Sequence, residues 1–202
     1  CCVQSRSTRY FGDSSMTPDQ REKLVRYSIN CFYAMNGARN EWDTNNKHSV
    51  RSVAKCIFYS HVFDCGHGNT GLISRAALEN HLSGKKHLNT DDHFVSAQRV
   101  GHFVMCHPEI YLDNYDNFID IFVWAGSKIK VTCEENIDLR KLTSNKNKLE
   151  ILKPLNEKYD YVGITELYKR PEGKSEWKTA KLTDERIMIP QEYLNWEKQF
   201  IV

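Results

Sequence analysis

Apolar residues recur every three to four positions through much of the first half of the chain. This spacing predicts helices over residues 17–37, 48–63 and 94–105, and a shorter helix over residues 74–84. Glycines between positions 66 and 71 interrupt the pattern, as glycine does at turns. We therefore predict a helical N-terminal half.

The central part of the chain adds a strand signal. Residues 111–124 are aromatic and fit either a helix or a strand, whereas the alternation of residues 128–132 predicts a strand. A helix is expected to follow, beginning at Glu134 or Glu135.

The C-terminal part predicts a hairpin and a helix. Residues 159–168 have strand composition and residues 171–174 have turn composition, so the chain from Trp177 onward is expected to return as a hairpin partner. A last helix is predicted over residues 191–200. The fold class is therefore α+β. We expect three regions: a flexible tail over residues 1–15, a helical and catalytic core over 16–145, and a C-terminal β-hairpin and helix extension over 146–202.

Composition narrows the class of protein. The 202 residues carry a formal net charge of +2, and 40% of them are hydrophobic. No stretch approaches the roughly 18 apolar residues of a membrane span. The seven cysteines are odd in number and irregularly spaced, which is typical of reduced thiols. We expect a soluble protein of the cytoplasm with no membrane partner.

Histidines are concentrated in the middle of the chain. Seven of the eight lie between His61 and His107. Histidine is the usual base at neutral pH and the commonest metal ligand, so this concentration suggests a site. Half-buried histidines on helix faces would give the same pattern.

Two acidic or amide segments flank the predicted site. Asp92 offers a hard carboxylate suited to Mg²⁺ or another divalent cation, and Asn136 offers an amide oxygen in the first turn of a helix. His93 would point to the opposite side of an extended backbone from Asp92. The hypothesis is that Asp92 and Asn136 hold one metal ion while His93 activates a water that cleaves a phosphodiester. Both segments also suit helix N-termini with acidic first turns.

Residues 87–142 resemble the HNH, or ββα-metal, endonucleases of the homing and restriction-like types found in phages and mobile introns. The resemblance implies a ββα-metal-like central site, with Asp92 as a metal ligand, His93 as the general base and Asn136 as the middle residue or second ligand. It also implies double-stranded DNA as the substrate. The segment between His93 and Asn136 is long for this motif, so the resemblance requires an inserted helix.

A second set of residues suggests zinc. The phrase from His81 to His87, with a glycine and two lysines between, looks like the end of a C2H2 zinc finger of the U1 type. Cys65 with His67, or Cys56 with Cys65, would complete four nitrogen and sulfur ligands for Zn²⁺. An exposed helix with a basic end fits the same residues.

Basic residues near both sets suggest contact with nucleic acid. A two-stranded ribbon from the C-terminal hairpin would fit the major groove of DNA, formed by Tyr168, Lys169, Arg170, Lys174, Trp177 and Lys178. Most such residues in any protein are simply solvated. The candidate contacts are Lys85, Lys86, Arg99, Lys128, Lys130, Lys169, Arg170 and Lys174.

Three further hypotheses remain open. A nuclease of the PD-(D/E)xK type would use Asp120 with Glu134 or Glu135. A non-catalytic nucleic-acid-binding or phage regulatory protein would carry at most a structural zinc. A small interaction or virion protein would have no active site. The sequence leaves the oligomeric state undetermined.

Overall fold

The computed structural model describes residues 16–39, 47–142, 153, 155, 157–171, 173–181 and 189–201. The predicted tail over residues 1–15 lies outside this part. The described residues form two compact units, the first comprising those up to Gly68 and those from Val95 to Gly126, and the second comprising those from Asn69 to Phe94 and those from Ser127 onward. Helices and one five-stranded sheet make up the described part, so the predicted α+β class is confirmed. No helix of this part is long and apolar enough to cross a bilayer.

The elements follow one another along the chain in this order: α1 Pro18–Arg39, α2 Lys47–Cys65, β1 Asn69–Ser74, α3 Arg75–Leu82, β2 Asn89–His93, α4 Ala97–Cys106, α5 Pro108–Tyr111, α6 Tyr115–Ala125, β3 Lys128–Thr132, α7 Cys133–Lys141, α8 Lys158–Tyr161, β4 Leu167–Lys169, β5 Lys178–Ala180 and α9 Gln191–Glu197. Short 3₁₀ helices span Lys86–Leu88 and Lys198–Phe200.

The first unit is helical and has an aromatic core. Phe58 of α2 meets Phe118 and Phe122 of α6 edge-on, with ring centroids 6.0 and 5.7 Å apart. Asn114 begins α6 by accepting hydrogen bonds from the backbone N–H groups of the next turn. The aromatic segment that fitted either a helix or a strand is therefore a helix, stabilised by its cap and by burial in this core.

Two local predictions near the sheet were wrong. Strand β1 was missed, because Gly71 interrupts the alternation with a φ of 73° and leaves no periodicity long enough to detect. Residues 159–161 were predicted as strand but belong to helical turn α8, and the strand that follows begins only at Leu167. Tyr159 is fully buried, so tertiary contacts override the strand propensity of this segment.

The second unit is built on a sheet of strand order β2-β3-β1-β4-β5. Strands β1 and β3 are parallel, and the other pairs are antiparallel. The strand register aligns five residues in one row across the sheet, one from each strand. In the order of the strands they are Asp91, Lys130, Ile73, Tyr168 and Thr179. Paired residues share a side of a sheet, so this row marks one face, called here the α3 face because α3 packs on it.

The C-terminal hairpin belongs to this sheet. Strand β4 pairs with β5, as the predicted hairpin requires, but it also pairs with β1 through Leu72, Ile73 and Ser74. The sheet therefore joins strands that are about a hundred residues apart in sequence.

Candidate functional site

Asp92 is held in a buried polar cluster. Its Oδ2 accepts hydrogen bonds from Lys158 Nζ at 2.9 Å and from the Tyr159 hydroxyl at 2.7 Å. Lys158 Nζ also donates to the His93 carbonyl at 3.0 Å and lies 4.7 Å from the centroid of the Tyr159 ring. The Asp92 and Lys158 side chains are only 13% and 8% exposed. The predicted metal ligand is thus engaged by residues of α8 that sequence reasoning did not single out.

His93 lies on the other side of strand β2. It pairs in register with Lys128, on the same face of the sheet as Lys130 and Asp91. Burial lowers the pKa of the His93 imidazole, and Lys128 lowers it further, while Asp92 opposes these effects. The predicted alternation of Asp92 and His93 is confirmed, and it directs the two side chains to different environments.

Asn136 follows the opposite end of the β2–β3 pair along the chain. It is buried in the first turn of α7, which begins after Thr132. Thr132 pairs with Asn89, whereas Asp92 pairs with Ile129, so about 10 Å of strand separates Asp92 from the start of α7. Across the described ranges, no group of three or more His, Cys, Asp or Glu side chains is arranged to hold a metal ion.

Glu135 links the starts of two helices. Its Oε2 accepts hydrogen bonds from the Thr132 backbone N–H and the Ser74 hydroxyl, both at 2.7 Å. Thr132 in turn caps α7 by accepting from the Glu135 N–H, and Ser74 caps α3 by accepting from the Ala77 N–H. The acidic segment that offered Asn136 as a ligand is therefore a capping box.

The four zinc candidates divide between the two units. Cys65 is buried at the end of α2, and the His67 ring stacks on Phe122 of the same unit with centroids 5.2 Å apart. In the second unit, His87 is exposed, and His81 meets the Trp177 ring edge-on at 5.7 Å. Zinc binding by these residues stays a prediction.

A basic and aromatic surface lies beside α3. We call it the Trp177 surface and define it as His81, Lys86, Lys130, Arg170 and Trp177. Trp177 packs against the buried cluster of Ile73, Ala77 and Leu78, and the guanidinium carbon of Arg170 lies 4.9 Å over its ring centroid.

The cations of the Trp177 surface act together on His81. Partial burial lowers the pKa of His81, and the positive charges of Lys86, Arg170 and Lys130 lower it further. Lys130 Nζ also pairs with Asp91 at 2.6 Å. The positive charges of these three residues therefore all act on one imidazole, and the charge of Lys130 is partly offset by Asp91.

The remaining predicted nucleic-acid contacts are dispersed. Lys85 is exposed at the end of α3, Lys174 is exposed in the hairpin turn, and Lys128 is partly buried beside His93. Lys169 follows Tyr168 in β4 and so points to the other face of the sheet. Arg99 belongs to α4 of the first unit. Of the eight predicted contacts, Lys86, Lys130 and Arg170 fall within the Trp177 surface.

Comparison with known proteins does not indicate a function for this site. Comparisons with family models, with curated proteins and with solved structures found no match. The side chains of this chain and their chemistry are therefore the basis for inferring its function.

Proposed function

We propose that this protein binds nucleic acid through the Trp177 surface. The observation that carries the proposal is geometric: Arg170 lies over the Trp177 ring and His81 packs against it. Register places Lys130 in the row of residues on this same face of the sheet. The positive charge of Lys86 also acts on His81. Cations neutralise phosphates and supply most of the affinity for nucleic acid, while an aromatic ring offers a surface for bases. The surface combines both chemistries on one side of the sheet.

Electrostatics favour an anionic partner at this surface even at neutral pH. Because the pKa of His81 is lowered, the neutral imidazole is favoured at neutral pH. The attraction for an anionic partner therefore comes from Lys86, Lys130 and Arg170. The charge of Lys130 is shared with Asp91, so binding of a phosphate would require Lys130 to turn partly away from that carboxylate. Arg170 and Lys86 are exposed and need no such change of position.

The test measures the salt dependence of oligonucleotide binding by fluorescence anisotropy. The wild-type protein is expected to bind more weakly as salt rises, and the double variant K86Q/K130Q should lower the slope of log K against log salt by about 0.7 to 0.9 per cation. Lys178→Gln is the matched control, since this exposed residue follows Trp177 but points to the other face of the sheet. Absence of binding at low salt, or an unchanged slope in K86Q/K130Q, would refute the proposal.

Metal-dependent DNA cleavage is a second candidate, favoured by the order of the elements. Antiparallel strands β2 and β3 followed by α7 have the ββα connectivity that the resemblance implies, with helices α4 to α6 between the strands. In this candidate Asp92 and Asn136 hold Mg²⁺ and His93 is the general base. A metal ion would have to compete with Lys158 and Tyr159 for the Asp92 carboxylate, which is why cleavage ranks second.

Plasmid incubation with Mg²⁺, and separately with EDTA, tests this second candidate. Cleavage is expected only with Mg²⁺, and it should be lost in His93→Ala while binding is retained. His87→Ala is the control, because His87 is an exposed histidine of the same unit. Cleavage by His93→Ala at the wild-type rate would remove His93 from the mechanism.

A further inference from the structure

We infer that the nucleic acid is single-stranded and that one unpaired base stacks on the platform formed by Arg170 and Trp177. This inference rests on the proposed function, which it narrows from nucleic acid in general to strands with exposed bases. The predicted partner, double-stranded DNA, then becomes one outcome of the test.

The platform is positioned before any ligand arrives. Trp177 is partly buried against Ile73, Ala77 and Leu78, which restrains the indole on the α3 face. The edge of the His81 ring contacts it from α3, and Arg170 covers it from the end of β4. Because little side-chain freedom remains to be lost in the indole, stacking a base here costs less ordering entropy than at a mobile ring.

Both members of the platform suit nucleobases. An indole ring and a planar guanidinium group each stack on the flat face of a base, and this contact tolerates any base identity. Arg170 is exposed, so a base can lie on its outer plane, or can displace it and contact Trp177 while the guanidinium turns to a phosphate. Lys130 lies in register with Ile73 on the face against which Trp177 packs, so it can contact a flanking phosphate. The exposed Lys86 acts electrostatically on the His81 ring that packs against Trp177, and it is the second candidate for such a contact.

The sheet geometry disfavours insertion into a duplex. A ribbon that enters the major groove must project from the protein, but β4 is hydrogen-bonded to β1 on one side and to β5 on the other. Strands β4 and β5 have three residues each, about 10 Å of strand. Within a duplex the base faces are covered by their neighbours, so the platform would have only backbone to contact. An unpaired base can reach it.

The experiment compares oligonucleotides that differ in whether a base face is available. Anisotropy is measured with fluorescein-labelled dT10, with rU10, with the dT10·dA10 duplex, and with a ten-unit abasic strand that keeps the phosphates. The protein is expected to bind dT10 or rU10 more tightly than the abasic strand and the duplex, and the relative affinity of the two strands distinguishes DNA from RNA.

Variants then assign the preference to the platform. Trp177→Leu should weaken binding of dT10 by about 5- to 100-fold and leave the abasic strand within about twofold. Arg170→Lys keeps the positive charge but removes the planar guanidinium group. It should therefore weaken binding of dT10 more than binding of the abasic strand. Tyr161→Leu is the matched control, since Tyr161 is an exposed aromatic residue with Lys153 4.6 Å over its ring.

The outcomes separate this inference from the proposed function. If dT10, the duplex and the abasic strand bind equally well and both platform variants leave that unchanged, stacking is refuted while phosphate binding stands. If nothing binds at low salt, both fail. If circular dichroism shows that Trp177→Leu does not fold, two other variants provide the test. Trp177→Phe is expected to bind dT10 with an affinity within about threefold of wild type. Arg170→Lys, at an exposed position, is expected to bind dT10 more weakly.

Discussion

Asp92 and Lys158 form an ion pair with 2.9 Å between Oδ2 and Nζ, although 66 residues separate them in sequence. Tyr159 completes the cluster through its hydroxyl. The pair secures helical turn α8 to strand β2, and Lys158 also donates to the His93 backbone carbonyl. A residue predicted as a catalytic metal ligand is thereby also a structural anchor of the sheet.

Removing one partner of this pair is expected to destabilise the protein strongly. Asp92→Asn leaves the buried Lys158 ammonium without a carboxylate, and the expected loss is about 3–5 kcal/mol in the free energy of unfolding. Urea denaturation measures it. The control is Asp138→Asn, which removes an exposed partner of Lys141 and should cost less than about 1 kcal/mol. Equal effects of the two variants would contradict a structural role for the buried pair.

Alkaline pH should weaken the same cluster through Tyr159. Burial raises the pKa of this hydroxyl well above its ordinary value, and Asp92 raises it further. The Tyr159 hydroxyl therefore has a higher pKa in the folded state than in the unfolded state, where it is about 10. This difference stabilises the folded protein at pH values below about 10, and the stabilisation is lost progressively as the pH rises further. The free energy of unfolding should therefore fall between about pH 9.5 and 11, and less steeply in Tyr159→Phe. Parallel curves for the two proteins would exclude Tyr159 as the cause.

Gly101 permits the close approach of α4 to α2. A Cβ at this position would lie 2.7 Å from Phe58 Cβ and 3.2 Å from the Ala54 carbonyl oxygen, neither of which can rotate away. Gly101→Ala is expected to cost about 1–3 kcal/mol by overpacking. Gly37→Ala, in α1 with nothing within 4 Å, should instead stabilise the helix by up to about 1 kcal/mol. Thermal unfolding of both variants measures the difference, and a stable Gly101→Ala would contradict the packing.

Glu135 should matter far more than its neighbour Glu134. Glu135→Ala removes the acceptor for both Thr132 and Ser74, with an expected loss of about 1–2 kcal/mol. Glu134 is exposed in the same helical turn and makes a matched control, expected to change stability by less than about 0.5 kcal/mol. Chemical denaturation of the two alanine variants gives the comparison. A larger loss in Glu134→Ala would show that helix charge, rather than the capping network, dominates.

The pKa of His81 reports on the charge around it. Because Lys86, Arg170 and Lys130 help to lower this pKa, Lys86→Gln should raise it, as followed by an NMR titration of the imidazole. Binding of an anionic strand at the Trp177 surface should raise it as well, since phosphates offset the cations. A His81 pKa insensitive to both changes would place the cations too far away to act.

Local patterns in the sequence determined most of the helices. Helical periodicity located α1, α2 and α4 to within a few residues, and the serine at position 74 correctly marked the start of α3. The strand over residues 128–132 was confirmed as well. These features depend on residues within one or two turns of each other, so the sequence of a short window contains the information that forms them.

Interactions between distant segments were decided only in the tertiary structure. The partners of Asp92, the pairing of β4 with β1, and the convergence of Lys86, Lys130, Arg170 and Trp177 each join segments that no local period relates. The sequence already predicted that Asp92 and His93 point to opposite sides of a strand. Only the tertiary structure supplied Lys158 and Tyr159 as partners of the Asp92 carboxylate, because a carboxylate taken out of water requires a compensating charge or donor.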